Sequence, residues 1–103
     1  MNDLETLIND EFGNFIIQHV INLSESEYNE KIFYYVKDNF LRLSKQKYSS
    51  NVIDKCILQE DSELRSSVID RMLELKCVGE LLVDQYGNYG SELVLIFSRS
   101  KGA

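Results

Sequence analysis

Three stretches of the chain align without a gap: "LINDEFGNFIIQHVI" at 7–21, "LSKQKYSSNVIDKCI" at 43–57 and "LLVDQYGNYGSELVL" at 81–95. Successive stretches are offset by 36 and then 38 residues, a period typical of helical solenoids. The aligned columns agree in chemistry. Leu7, Leu43 and Leu81 are identical. Phe12, Tyr48 and Tyr86 form an aromatic column, Gly13, Ser49 and Gly87 a small one, and Asn14, Ser50 and Asn88 a small polar one. This repetition limits the fold more than any other feature, because one such unit cannot bury its own apolar face whereas stacked units can.

Between the stretches lie two longer helical patterns. In "SESEYNEKIFYYVKDN", Tyr28, Ile32, Tyr35 and Val36 recur at helical spacing. Ser24 with Glu27 reads as a capping box, and Glu27 before Lys31 is the favourable order of an acid–base pair. In "DSELRSSVIDRMLEL", Leu64, Val68, Ile69, Met72 and Leu73 form the matching stripe, with Asp61 or Ser62 as its cap. Each repeat therefore reads as a short helix, a middle helix and a longer third helix. The chain of 103 residues has no proline. The expected class is all-α, an α-solenoid of about two and a half repeats: 1–37, 38–74 and a partial unit over 75–103.

The middle helices carry the functional signal. Ile16, Ile17, Val20 and Ile21 fall on one face of the first, and Val52, Ile53, Cys56 and Ile57 take the same places on the second. That is the expected core face. On the opposite face Asn14 and Gln18 are one turn apart, with Phe15 beside them. The corresponding trios are Ser50, Asn51 and Asp54, then Asn88, Tyr89 and Glu92. An amide offers both a donor and an acceptor, as the edge of a nucleobase does. Stacked helices lie about 8–10 Å apart, farther than stacked bases. A strand read one base per helix must then be stretched, and a flat side chain can fill each gap, at ~1–3 kcal/mol per base. Phe15 and Tyr89 suit that role, and Asn51 offers a smaller plane. Splayed single-stranded RNA is the natural ligand. One such trio would be ordinary surface; its recurrence at a fixed repeat position is the signal.

The formal net charge of −6 works against a polyanion. Charge is uneven, however: residues 1–30 hold seven acids and no Lys or Arg, whereas residues 31–60 hold six Lys or Arg and three acids. Attraction for phosphate would centre on Arg42, Lys45, Lys47 and Lys55, with Lys45 and Lys47 the phosphate candidates just before the second middle helix. The alternative for that pair is a solvated loop. Cys56 and Cys77 lack metal-ligand spacing and read as reduced thiols of an intracellular protein. His19 has no nucleophile at a recognisable spacing, and no paired-carboxylate or phosphate-loop motif occurs. "IFYY" at 32–35 reads as core and outer surface. No enzyme, cofactor, metal, small-molecule substrate or membrane span is expected.

"EFGNFIIQHV", "KYSSNVIDKC" and "DQYGNY" resemble the middle-helix motifs of the Pumilio (PUF) RNA-binding repeat family. Their order resembles that family's last three repeats, and the resemblance covers residues 1 to about 89. It implies a right-handed, armadillo/HEAT-like superhelix with single-stranded RNA on its concave face. It also implies cytoplasmic regulation of messenger RNA translation and decay through 3′ untranslated regions, with protein co-regulators on the convex face. Position by position, Asn14 and Gln18 match a uracil-reading pair with Phe15 as stacker. Ser50 and Asp54 match a guanine-reading pair with Asn51 as stacker, although the family has Glu where this chain has Asp54. Asn88 and Tyr89 match a uracil reader and its stacker, but Glu92 stands where Gln is expected and, when ionised, only accepts hydrogen bonds. The implied target is 5′-U-G-U-3′.

The third unit departs from the others. Gly90 and Ser91 occupy the places of Ile16–Ile17 and Val52–Ile53. Glycine inside a helix costs about 1 kcal/mol relative to alanine. No third helix is expected after "ELVLIFSRSKGA", so the unit reads as truncated or diverged, and the chain as a piece of a longer solenoid. Two competing readings remain open: a protein-interaction module that has lost RNA binding, and a truncated, inactive product.

Overall fold

A computed structural model describes residues 2–23, 26–58 and 62–101. Among them the chain forms α1 (Asn2–Ile8), α2 (Gly13–Leu23), α3 (Ser26–Asp38), α4 (Phe40–Ser44), α5 (Ser49–Leu58), α6 (Ser62–Glu74), α7 (Val78–Leu82) and α8 (Asn88–Lys101), with no strand. The short–middle–long order appears in α1–α3 and again in α4–α6, and α7 and α8 begin it a third time. The middle helices stack side by side, α2 on α5 and α5 on α8, while α3 packs on α6. The architecture is an α-solenoid. Its buried side chains form one continuous cluster running from Leu4 and Ile8 through Val52, Ile53 and Ile57 to Leu81 and Val94, as expected where each unit completes its neighbour's core.

The small-residue column is explained by a close approach of the short helix to the middle one. A Cβ on Gly13 would lie 2.5 Å from the carbonyl oxygen of Leu7 and 2.9 Å from its Cα. In the next unit the same space holds a hydroxyl: Ser49 Oγ donates to Leu43 O at 2.7 Å. A side chain here must be absent or able to bond the carbonyl it meets. The third helices return the favour at the other end. Asn29 Nδ2 donates to Ile21 O (3.4 Å) and Arg65 Nε to Ile57 O (2.7 Å). Both residues thereby satisfy carbonyls that the end of a middle helix leaves unpaired.

Several expected core positions lie elsewhere. Ile17 and Ile21 are buried and Val20 half-buried, but Ile16 is 54% exposed, whereas all four counterparts on α5 are buried. The cause is stacking: α5 has a middle helix on each side, α2 and α8, while α2 packs mainly on α5, α1 and α3. Tyr28 and Leu73 are also exposed, on the outer edges of stripes whose interior consists of Ile32 and Val36, and of Val68, Ile69 and Met72. Glu27 and Lys31 are exposed and form no ion pair with each other. The expected caps Ser24 and Asp61, and the side chains of Ser62 and Leu64, lie outside the described residues.

The middle helix of the third unit is continuous through Gly90 and Ser91, and among the described residues no third helix follows it. "ELVLIFSRSK" extends the middle helix, so α8 runs for 14 residues where α2 has 11 and α5 has 10. Leu93 and Val94 are buried, and the half-buried Phe97 ring lies 4.1 Å from the Arg65 guanidinium carbon. Gly90 and Ser91 are both buried despite their size. Ser91 Oγ donates to Asn88 O at 2.9 Å, and Gly90 lets α8 approach Asp54 and Ile57 of α5.

Candidate nucleic-acid interface

The turns that launch the middle helices fix where the trios stand. In the first, Asp10 Oδ2 accepts the backbone N–H groups of Phe12 (2.9 Å) and Gly13 (2.7 Å), and these bonds hold its carboxyl below the usual range. In the third, Asp84 Oδ2 accepts those of Tyr86 (2.9 Å) and Gly87 (2.9 Å). The second turn has Gln46 at that place. Its N–H groups are satisfied from the neighbouring unit: Asn9 Oδ1 accepts from Tyr48 N (3.2 Å) and Ser49 N (3.0 Å).

The flat members of the trios are accessible. Phe15 is 62% exposed, Tyr89 50% exposed and Asn51 exposed. A large ring left in water on α2 contributes nothing to the core, so packing does not account for it. Phe15 and Asn51 line one open cleft of about 400 Å³ between α2 and α5, together with Gln18, Asp54, Lys55 and Leu58. Tyr89 holds the corresponding position on α8.

The small polar members are not on the open face, contrary to expectation. Asn14 is fully buried: its Nδ2 donates to Asp10 O (2.8 Å) and Glu11 O (3.1 Å), and its Oδ1 accepts from Gln18 Nε2 (3.0 Å). Ser50 is also buried, its Oγ donating to Lys47 O at 3.3 Å. Asn88 is half-buried and repeats the Asn14 pattern, with Nδ2 donating to Asp84 O (2.9 Å) and Gln85 O (3.1 Å). A short polar side chain one residue into a helix can satisfy the preceding turn's carbonyls more closely than it can reach solvent. Gln18 and Asp54 at the cleft, and the exposed Glu92, are the reachable edge groups.

Electrostatically the cleft is mixed. Lys55 is the cation within it. Burial pushes the Asp54 carboxyl up to about 7. Lys45 is paired with Glu80 at the start of α7, a bond that raises its ammonium's pKa and ties the second unit to the third. Lys47 is exposed, its Nζ 5.4 Å from the Tyr48 ring centre. Arg42 bonds Tyr35 and Asn39 and lies 3.8 Å from Glu5. Cys56 is fully buried, its thiol pushed up to about 12, and Cys77 is buried as well. Such thiols are protonated and inert at neutral pH. His19 is exposed. Among the described residues no cluster of three or more His, Cys, Asp or Glu could hold a metal ion, and no helix is long and apolar enough to cross a membrane.

Residues 5–35 and 39–73, which take in α2 with most of α3 and then α4, α5 and nearly all of α6, match the Pumilio-family RNA binding repeat. The chain belongs to the Pumilio (PUF) family. It is 36% identical over 84 residues to a Pumilio domain-containing protein of Schizosaccharomyces pombe, a match covering 82% of this chain and 12% of that protein. It is 33% identical over 96 residues to Pumilio homolog 12 of Arabidopsis thaliana, covering 93% of this chain and 16% of the relative. The second match necessarily reaches into α7 and α8. The crystal structure of PUF-8 in complex with PBE-RNA superposes with a TM-score of 0.82 at 28% identity, over 90% of this chain and 28% of that one. The chain thus spans a small part of the length of each of these proteins.

Three features of this PUF surface escaped the sequence reading. Leu58 lies one turn beyond Asp54, so helical spacing alone would have added it to the cleft. Asn9 caps a helix 39 residues away, a pairing that no local pattern reveals. The contact of Gly90 with Asp54 follows only from the stacking of α8 on α5.

Proposed function

We propose that this chain is a non-enzymatic, base-selective binder of single-stranded RNA, each of the units 1–37, 38–74 and 75–103 meeting one base of a 5′-U-G-U-3′ core. The observation that carries this reading is the cleft in which Phe15 and Asn51 stand exposed beside Gln18 and Asp54. A base entering there stacks on Phe15, and its edge meets Gln18. When the Gln18 amide turns to the base, it releases Asn14 Oδ1 as a second acceptor, while Asn14 Nδ2 stays bound to the backbone. Asn51 with Ser50 and Asp54, and Tyr89 with Asn88 and Glu92, offer the next two places. Lys55 at the cleft and the exposed Lys47 supply the phosphate attraction, and Lys45 is held by Glu80. Family membership and the RNA-bound structural neighbour support the same reading.

In the cell this activity fits cytoplasmic control of messenger RNA translation and stability through 3′ untranslated regions, with protein co-regulators on the convex face. Binding of UGU-containing and scrambled oligonucleotides at low salt tests the reading. Preference for UGU that is lost in Phe15→Ala and Gln18→Ala supports it; equal binding of the two sequences rejects it. A protein-interaction module without RNA affinity is the second reading, favoured by the net charge of −6. A protein partner that is retained after ribonuclease treatment and in both alanine variants, without any UGU preference, would select it.

A further inference from the structure

Gly90 departs from the branched residues of the other units, and Asp54 of the neighbouring middle helix lies beside it. A Cβ built on Gly90 would lie 2.8 Å from Asp54 Oδ1 and 3.6 Å from Ile57 Cδ1. The equivalent column in the other units holds Ile16 and Val52. A branched side chain at position 90 would occupy the space that the carboxyl group now takes. The missing side chain on α8 therefore shelters a short acid on α5, at the floor of the cleft that Phe15, Gln18, Asn51, Lys55 and Leu58 complete. Among the described residues no hydrogen bond or ion pair is formed by the Asp54 carboxyl, which lines the cleft with one oxygen, Oδ1, against Gly90.

We propose that Asp54, sheltered by Gly90, makes base choice at the second unit depend on its own protonation. The proposal rests on the RNA-binding reading above and adds a regulation to it. A carboxylate only accepts hydrogen bonds, whereas a carboxylic acid carries one donor and one acceptor. Guanine's Watson–Crick edge presents two adjacent donors, N1–H and N2–H, and suits the carboxylate. Adenine's edge presents the N1 acceptor beside the N6 amino donor and suits the acid. Both bases are purines, so stacking on the neighbouring side chains stays similar and the edge decides.

The surroundings allow the switch near neutrality. Burial raises the carboxyl to about 7, and no charged neighbour contributes to that shift. On α5 itself Lys55 and the fully buried Cys56 are adjacent; burial first, and the Asp54 charge after it, raise the Cys56 thiol. The α2 residues in the cleft, Phe15 and Gln18, are uncharged. From α8 the contact is Gly90, with Glu92 exposed two residues on. The Arg65 side chain of α6 is spent on Ile57 O, Leu58 O and the Phe97 ring. Arg42 of α4 bonds Tyr35 and Asn39.

The test measures affinity of the whole chain for two oligonucleotides that differ only in 5′-UGU-3′ against 5′-UAU-3′, from pH 5.5 to 8.5. The guanine-over-adenine ratio is expected to rise by about tenfold or more across that range, the discrimination a bidentate edge contact supplies. Asp54→Asn should hold the low-pH ratio at every pH. Gly90→Ala should move the midpoint down toward the ordinary carboxylate range, because its methyl group displaces the acid from its shelter. The Asp54 carboxyl carbon resonance of the free chain, followed by NMR, should titrate near neutrality and shift the same way in Gly90→Ala. RNA binding with a pH-independent ratio would overturn this proposal and leave the RNA reading intact. Absence of binding to either oligonucleotide at every pH would overturn both.

Discussion

Asn9 Oδ1 accepts the backbone N–H of Ser49 at 3.0 Å, so a residue of the first unit caps the middle helix of the second. The first and third middle helices are capped from within by Asp10 and Asp84. The second has lost that aspartate to Gln46, and the neighbour supplies the acceptor instead. The cap is thus a contact between units as well as a local one. Asn9→Ala should cost about 1 kcal/mol, the usual worth of such a cap, and Asn9→Asp much less. Urea unfolding monitored by circular dichroism checks both.

The close approach at Gly13 implies a graded response to added methyl groups. In Gly13→Ala the new Cβ would meet backbone, Leu7 O at 2.5 Å, which cannot move without shifting α1. A loss of about 1–3 kcal/mol is expected. In Gly87→Ala the nearest atom is Leu81 Cδ2 at 2.8 Å, the end of a flexible side chain, with Ser44 O at 3.2 Å. That loss should be the smaller of the two in the same unfolding experiment.

Lys76 has φ 54°, and Cys77 N donates to Met72 O at 3.5 Å, an arrangement that ends α6 in a left-handed residue. A side chain in that conformation is strained, and glycine is not. Lys76→Gly should stabilise the chain by about 0.5–1 kcal/mol, net of the entropy that glycine adds to the unfolded state. A rise in melting temperature would register it; a fall would contradict the strain argument.

Much of this architecture was legible in advance, and the omissions share a cause. The aligned columns of Leu7, Gly13 and their counterparts sufficed for the stacked units and for the order of short, middle and third helices. They sufficed too for the exposure of Phe15, Asn51 and Tyr89, since a ring opposite an apolar stripe must face outward. Family resemblance had the same source and was borne out. What sequence periodicity cannot report is which neighbour a face meets. Ile16 was expected in the core because Val52 belongs there, yet only α5 has a middle helix on each side. Asn14 was expected at the surface because it is polar, yet its amide satisfies two carbonyls of the turn below it. The run after Gly90 was expected to be followed by no third helix; it prolongs α8 instead of forming a new element, with Val94 buried and Phe97 against Arg65.

The raised Asp54 carboxyl links stability to pH. Its pKa is 3.8 ordinarily and about 7 in the folded chain, so the folded state binds this proton more tightly than the unfolded state does. The resulting stability is fully present below about pH 4 and is lost as pH rises toward 7. Asp54→Asn cannot lose a proton. The melting temperature of the variant relative to the parent should therefore climb between pH 4 and pH 8. A difference that stays flat over that interval would show Asp54 to be an ordinary exposed acid.

Heteronuclear NMR of the labelled chain titrated with a UGU-containing RNA tests most directly whether bases enter between the exposed flat side chains. Resonances of Phe15, Gln18, Asn51, Asp54 and Tyr89 should shift together, while those of Tyr34 and Asp70 on the third helices stay in place. Shifts confined to the third helices, with the Phe15 ring and the Asn51 amide unmoved, would contradict the account.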